Sequence, residues 1–101
     1  MAYKGGQYAV TAAAVNITTA LALPAKLYCR QIDIKNAKAA TAVVYLGPST
    51  VTAVPANAFA QLDANQAWSG VAVSTESLNT DEIYMIGTAN AANILFITLI
   101  P

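Results

Sequence analysis

The chain has 101 residues, of which 56% are apolar and only 10% charged, and five basic residues balance five acidic ones to a net charge of zero. The length bounds it to one domain. Zero net charge with no basic run argues against electrostatic capture of nucleic acid, the absence of any long apolar run argues against a membrane-spanning helix, and so few charges over so much apolar surface point to a protein partly covered by other subunits.

Residues 1–6 (MAYKGG) read as a flexible N-terminal arm with a Gly5-Gly6 hinge, leaving residues 7–101 as a single β domain. Tyr3, Lys4 and Tyr8 around that hinge are the candidate interface residues, because tyrosines pack through the ring and keep a hydroxyl for hydrogen bonding. The text implies an arm that lies on a neighbouring subunit; the competing reading is a first strand that begins early. No signal-peptide pattern of a basic segment followed by an unbroken apolar core is visible.

Residues 7–14 and 15–23 are the first two expected strands. The alanines could be helical on propensity, but Val15, Ile17, Thr18 and Thr19 favour extended backbone, and no 3.6-residue period or cap is evident. Pro24 ends the run. Residues 27–35 form the third expected strand, with a bulge near Gln31 where the alternation shifts. Ile32 and Ile34 alternate with Asp33 and Lys35, the pattern of a half-buried strand. Residues 36–41 read as a turn, and residues 42–46 as a β-branched and aromatic strand that folds back on the third as a hairpin.

Residues 49–54, between Pro48 and Pro55, suit a short edge segment. Residues 59–62 are a strand, 63–66 a turn, and 68–73 a strand in which Gly70 permits a bend. The polar residues 74–81 read as a surface loop. Residues 82–88 alternate Ile83 and Met85 against Tyr84 and Ile86, and residues 94–100 are apolar on both faces, which places them centrally and buried on both sides. Ile32, Ile34, Val44, Leu46, Ile83, Ile86, Phe96 and Leu99 are the expected core. Eight or nine short strands at this spacing, too close for crossover helices, predict an all-β antiparallel β-sandwich or jelly-roll-like barrel.

The chemistry-bearing residues are sparse. There is no histidine and one cysteine, Cys29, so neither a zinc site nor an internal disulfide can be built. The acids Asp33, Asp63, Glu76, Asp81 and Glu82 show no spacing that faces two carboxylates across one bond, as a glycosidase requires. Glu76, Asp81 and Glu82 could hold calcium with loop carbonyls, against the simpler reading of a solvated loop. Trp68 and Tyr45 could form a sugar-binding platform, against the simpler reading of core or interface packing. No serine or threonine has a base to activate it, and no phosphate-binding glycine loop is present. The expectation is a non-enzyme with no cofactor and no metal.

The segments IDIKN (32–36), VVYLGPSTVTA (43–53), FAQLDANQAWS (59–69) and EIYMIGTA (82–89), followed by a closing apolar strand, occur in this order. Together they resemble the small β-sandwich decoration (cement) or head-associated virion proteins of tailed bacteriophages. The resemblance covers the chain from about residue 27 onward, and its motifs are structural rather than catalytic. It implies a homo-oligomer, a trimer first, that binds the major capsid protein on the outer surface of the virion and stabilises the shell by bridging its subunits. A tail, neck or head-fibre component is the alternative in the same setting, and a carbohydrate-binding module the alternative outside it.

Overall fold

The computed structural model describes residues 4–38, 40, 42–73, 76–88 and 94–101. Among them lie ten strands, two short helical turns and no closed barrel: β1 Lys4–Ala9, β2 Val15–Asn16, α1 Ile17–Ala20, β3 Tyr28–Cys29, β4 Gln31–Asn36, β5 Val44–Gly47, a 3-10 turn Pro55–Asn57, β6 Ala60–Leu62, β7 Ala67–Val71, β8 Leu78–Asn79, β9 Tyr84–Gly87 and β10 Ile94–Ile100. All pairings are antiparallel. One four-stranded sheet has the order β1-β10-β4-β7, a second has the order β2-β9-β5-β6, and β3-β8 form a small ribbon. The fold is all-β, as the short alternating runs lead one to expect.

The two sheets bury their facing sides against each other. Ile32 and Ile34 of β4 and Leu95, Ile97 and Leu99 of β10 meet Val44 and Leu46 of β5, Leu62 of β6 and Met85 of β9, in one cluster that Val10, Ile17, Cys29 and Ile83 complete. Each fully buried aliphatic side chain contributes about 1.5–3 kcal/mol. Asn36, fully buried at the end of β4, ties the sheets together: its side-chain amide donates to the carbonyls of Ala42 at 3.3 Å and Leu62 at 3.2 Å, and its main-chain N–H to that of Gln66 at 2.9 Å.

Several elements depart from the sequence reading. The expected hairpin between residues 32–36 and 42–46 does not form: β4 pairs with β10 and β7, whereas β5 pairs with β6 and β9 in the other sheet. The segment between them carries no two-residue turn signal, and it crosses from sheet to sheet. That crossing puts β5, whose four residues are all buried, in the interior of a sheet. Residues 15–23 are not one strand. Asn16 accepts a hydrogen bond from the Thr19 N–H at 2.8 Å through its side chain and caps the single turn α1. Residues 27–35 split at Arg30, where the chain leaves β8 for the first sheet. The Arg30 N–H still donates to the Ile100 carbonyl, and its carbonyl still accepts from Ala72, both at 2.7 Å.

Residues 49–54 form no strand; they fold back over β5 and bury Val51. The polar stretch 74–81 contains β8, and its Thr80 is fully buried. Residues 4–6, read above as part of an arm, are instead the first half of β1, in register with β10 from Lys4 opposite Leu99 to Ala9 opposite Ile94. Gly5 allows that approach, since a Cβ there would strike the Ile97 carbonyl oxygen. Residues 1–3 lie outside the described residues. Finally, β10 is central in its sheet but buried on one face only, so Phe96 leaves the expected core and is 43% exposed.

Candidate functional site

The side of the first sheet that faces away from the core is built by simple alternation. Gly5, Gln7 and Ala9 of β1, Ile94, Phe96, Thr98 and Ile100 of β10, Gln31, Asp33 and Lys35 of β4, and Ala67, Ser69 and Val71 of β7 all stand opposite the buried set. The register arranges them in rows across the strands. One row reads Ser69, Asp33, Thr98, Gly5, and the next reads Ala67, Lys35, Phe96, Gln7. Among the described residues, none of these side chains belongs to either apolar cluster of the molecule. Phe96 therefore lies near the middle of an uncovered sheet face, with Val71, 63% exposed, in β7 and Val73, 70% exposed, just beyond it.

The polar part of the face is ordered. The Gln31 side-chain amide donates to both carboxylate oxygens of Asp33 at 3.1 Å, and the Ser69 hydroxyl donates to one of them at 2.5 Å. Lys35 is exposed, and its side chain makes no hydrogen bond or ion pair among the described residues.

The outer face of the second sheet is different. There Tyr45, Val51 and Ile86 form a second buried cluster, with Ala14, Val43, Ala53, Ala58 and Tyr84 packed around it. The loop after β5 supplies Val51, Ala53 and Ala58, so the chain covers this face with its own backbone. One outer face is roofed by the protein itself, and no described residue packs over the other in an apolar cluster.

The residues singled out from sequence are dispersed. Tyr8 is half-buried and packs on its own core from β1; Lys4 opens that strand; Tyr3 lies outside the described residues. Tyr45 is only 7% exposed and cannot serve as a platform. Trp68 lays its ring over Gly70, where a Cβ would lie 2.8 Å from ring carbon Cζ2, and meets Phe59 at 5.3 Å between centroids with the planes tilted by 46°. Gly70 thus makes room for the indole rather than bending the strand. Cys29 is fully buried, and burial pushes its thiol pKa up, away from the reactive thiolate.

Asp81 and Glu82 line an open groove of about 480 Å³ with Pro48, Ser49 and Tyr84. Glu76 is not among its walls, and no group of three acidic, cysteine or histidine side chains gathers anywhere among the described residues, so the calcium arrangement does not form there. The open face escaped the sequence reading because its members look ordinary singly; only the register brings Phe96 between Gln7 and Lys35. No family model matches the chain, and neither a curated protein nor a solved structure was found similar to it.

Proposed function

We propose that this protein is a non-catalytic structural component of a virion, a decoration protein that assembles with its own kind and clamps the outer surface of a capsid shell. The observation that carries the reading is the uncovered face of the first sheet, in a molecule that roofs the equivalent face of its second sheet with its own loop. A monomer that stays alone gains nothing from an ordered face that balances one acid against one base around an exposed phenylalanine. The low charge of the chain and the resemblance in its strand segments support the same reading. An oligomer built through such a face presents several copies of one weak shell contact. Contacts repeated by symmetry bind with an effective concentration in the millimolar range when the spacing fits, so modest single affinities add to firm attachment.

The test is co-purification with shells formed by the major capsid protein encoded in the same genome. The expected result is a saturable stoichiometry set by the shell lattice and a raised melting temperature of the decorated shell. Absence of the protein from purified shells, or saturable binding to a soluble glycan in its place, would remove the reading.

A further inference from the structure

Resting on the reading of the open face as an assembly face, we infer that its occupant is a second copy of this chain, packed sheet on sheet about a two-fold axis. The axis lies in the interface and runs across the strands along the row Gly6, Ile97, Ile34, Trp68. Rotation about that line carries each outward row onto its neighbour. Lys35 of one copy then faces Asp33 of the other, and the reverse contact forms at the same time. Phe96 faces the smaller Thr98 of the second copy, which stands beside Gly5 with no side chain at all; Gln7 faces Gly5. Ala67 faces Ser69, and Ile100 faces Ile94.

Charge is thereby set against charge and bulk against small residues, twice over. The match depends on the two rows being adjacent in one strand register, and a self-complementary patch of this kind is what an isologous interface requires. Among the described residues the Lys35 side chain has no partner, while Asp33 is held in place by Gln31 and Ser69 and is thus ready to receive one. The rows approach within side-chain reach because packed sheets sit about 10 Å apart, with strand directions within roughly 30°.

Area sets the strength. Four strands about 4.8 Å apart and about six residues long offer a face on the order of 400 Å². That is about half of what each partner buries in a standard stable interface. The pair is accordingly weak in free solution and becomes firm when both copies are also held by a shell. The operator is two-fold, so a pair, rather than the trimer that the resemblance implies, is the assembling unit.

Sedimentation equilibrium of the intact chain from about 10 µM to about 1 mM tests this. The expected result is a concentration-dependent monomer–dimer equilibrium. Phe96→Ser and Lys35→Glu should each weaken it by about tenfold or more. The exchange Asp33→Lys with Lys35→Glu should return the constant to within about threefold of the original. Should that exchange prevent folding, the size exchange Phe96→Thr with Thr98→Phe makes the same test. A monomer throughout, a trimer, a dimer indifferent to the single changes, or failure of the exchange to restore it overturns the two-fold pairing. Shell attachment reads out separately. A monomer whose shell binding disappears with Phe96→Ser assigns the face to the capsid and overturns the pairing alone. A dimer that ignores shells overturns the proposed function and leaves the pairing standing.

Discussion

Thr80 shows how one polar side chain can organise a region that composition marks as surface. Its hydroxyl lies 2.7 Å from that of Thr18 and accepts from the Leu27 N–H at 2.9 Å. Its N–H donates to the Leu27 carbonyl at 3.1 Å, and its carbonyl accepts from the Thr18 N–H at 3.4 Å. One buried residue thus joins α1, the approach to β3 and the end of β8. Thr80→Val keeps the shape and removes the hydroxyl, leaving the Leu27 N–H without its acceptor. A loss of about 1–3 kcal/mol in urea melts is expected, whereas a change below about 0.5 kcal/mol would mean that water replaces the hydroxyl. Phe96 and Leu95 make the opposite pair. They are adjacent in β10, yet Leu95 is fully buried and Phe96 faces outward. Leu95→Ala is expected to cost about 2–5 kcal/mol, and Phe96→Ala less than about 1 kcal/mol in the dilute monomer. Comparable losses at the two positions would place Phe96 in the core after all.

At the scale of the element, what alternation encodes was legible and what pairing encodes was not. Ile32 and Ile34 announced an inward face, and they are fully buried. Ile83 and Met85 separated correctly from Tyr84 and Ile86, because β9 has a core on each side. The run 94–100 could not be resolved this way: with apolar residues on both faces, period two carries no sign, and only the neighbouring strands decide that Phe96 looks outward. Sheet membership was equally hidden, since β4 and β5 are adjacent in sequence but join different sheets. The cap at Asn16 escaped the sequence reading, because the β-branched residues that follow it favour extended backbone and α1 is too short to show a helical period. The open face was illegible for the same reason as the pairing, being a product of register among four strands.

The first strand permits a direct test of this point. Residues 1–6 read as an arm, and deleting an arm spares the monomer. In the fold, the same deletion removes Lys4, Gly5 and Gly6 from their places opposite Leu99, Thr98 and Ile97 and leaves that edge of β10 unpaired, with only the β4 side still bonded there. Monomer stability should fall by about 1–3 kcal/mol, from ladder bonds worth about 0.5–1.5 kcal/mol each. An unchanged urea midpoint would return these residues to the role of an arm.

For the molecule as a whole, the decisive pairing is between the two ends of the chain. β1 and β10 lie side by side, with Lys4 opposite Leu99, so the described ends of the chain emerge at one corner of the first sheet. Closing this contact costs the entropy of a loop that spans nearly the whole chain, and pairings of such sequence separation make β-sandwiches slow folders, on the millisecond-to-second scale. Joining residue 101 to residue 1 through a short glycine linker converts the longest-range pairing into a local hairpin. The chain can be opened between Pro24 and Ala25, which are both exposed and stand between α1 and β3. The permuted protein should keep the native circular dichroism spectrum, because no strand is cut. It should also refold faster, since the loop entropy of closing β1 on β10 is now small. Stopped-flow refolding from urea measures this directly, with a rate increase of about tenfold or more expected if that closure belongs to the folding barrier. A permutant that folds at the original rate would show β1 docking after the barrier, and one that does not fold would show that the two ends do not meet at that corner.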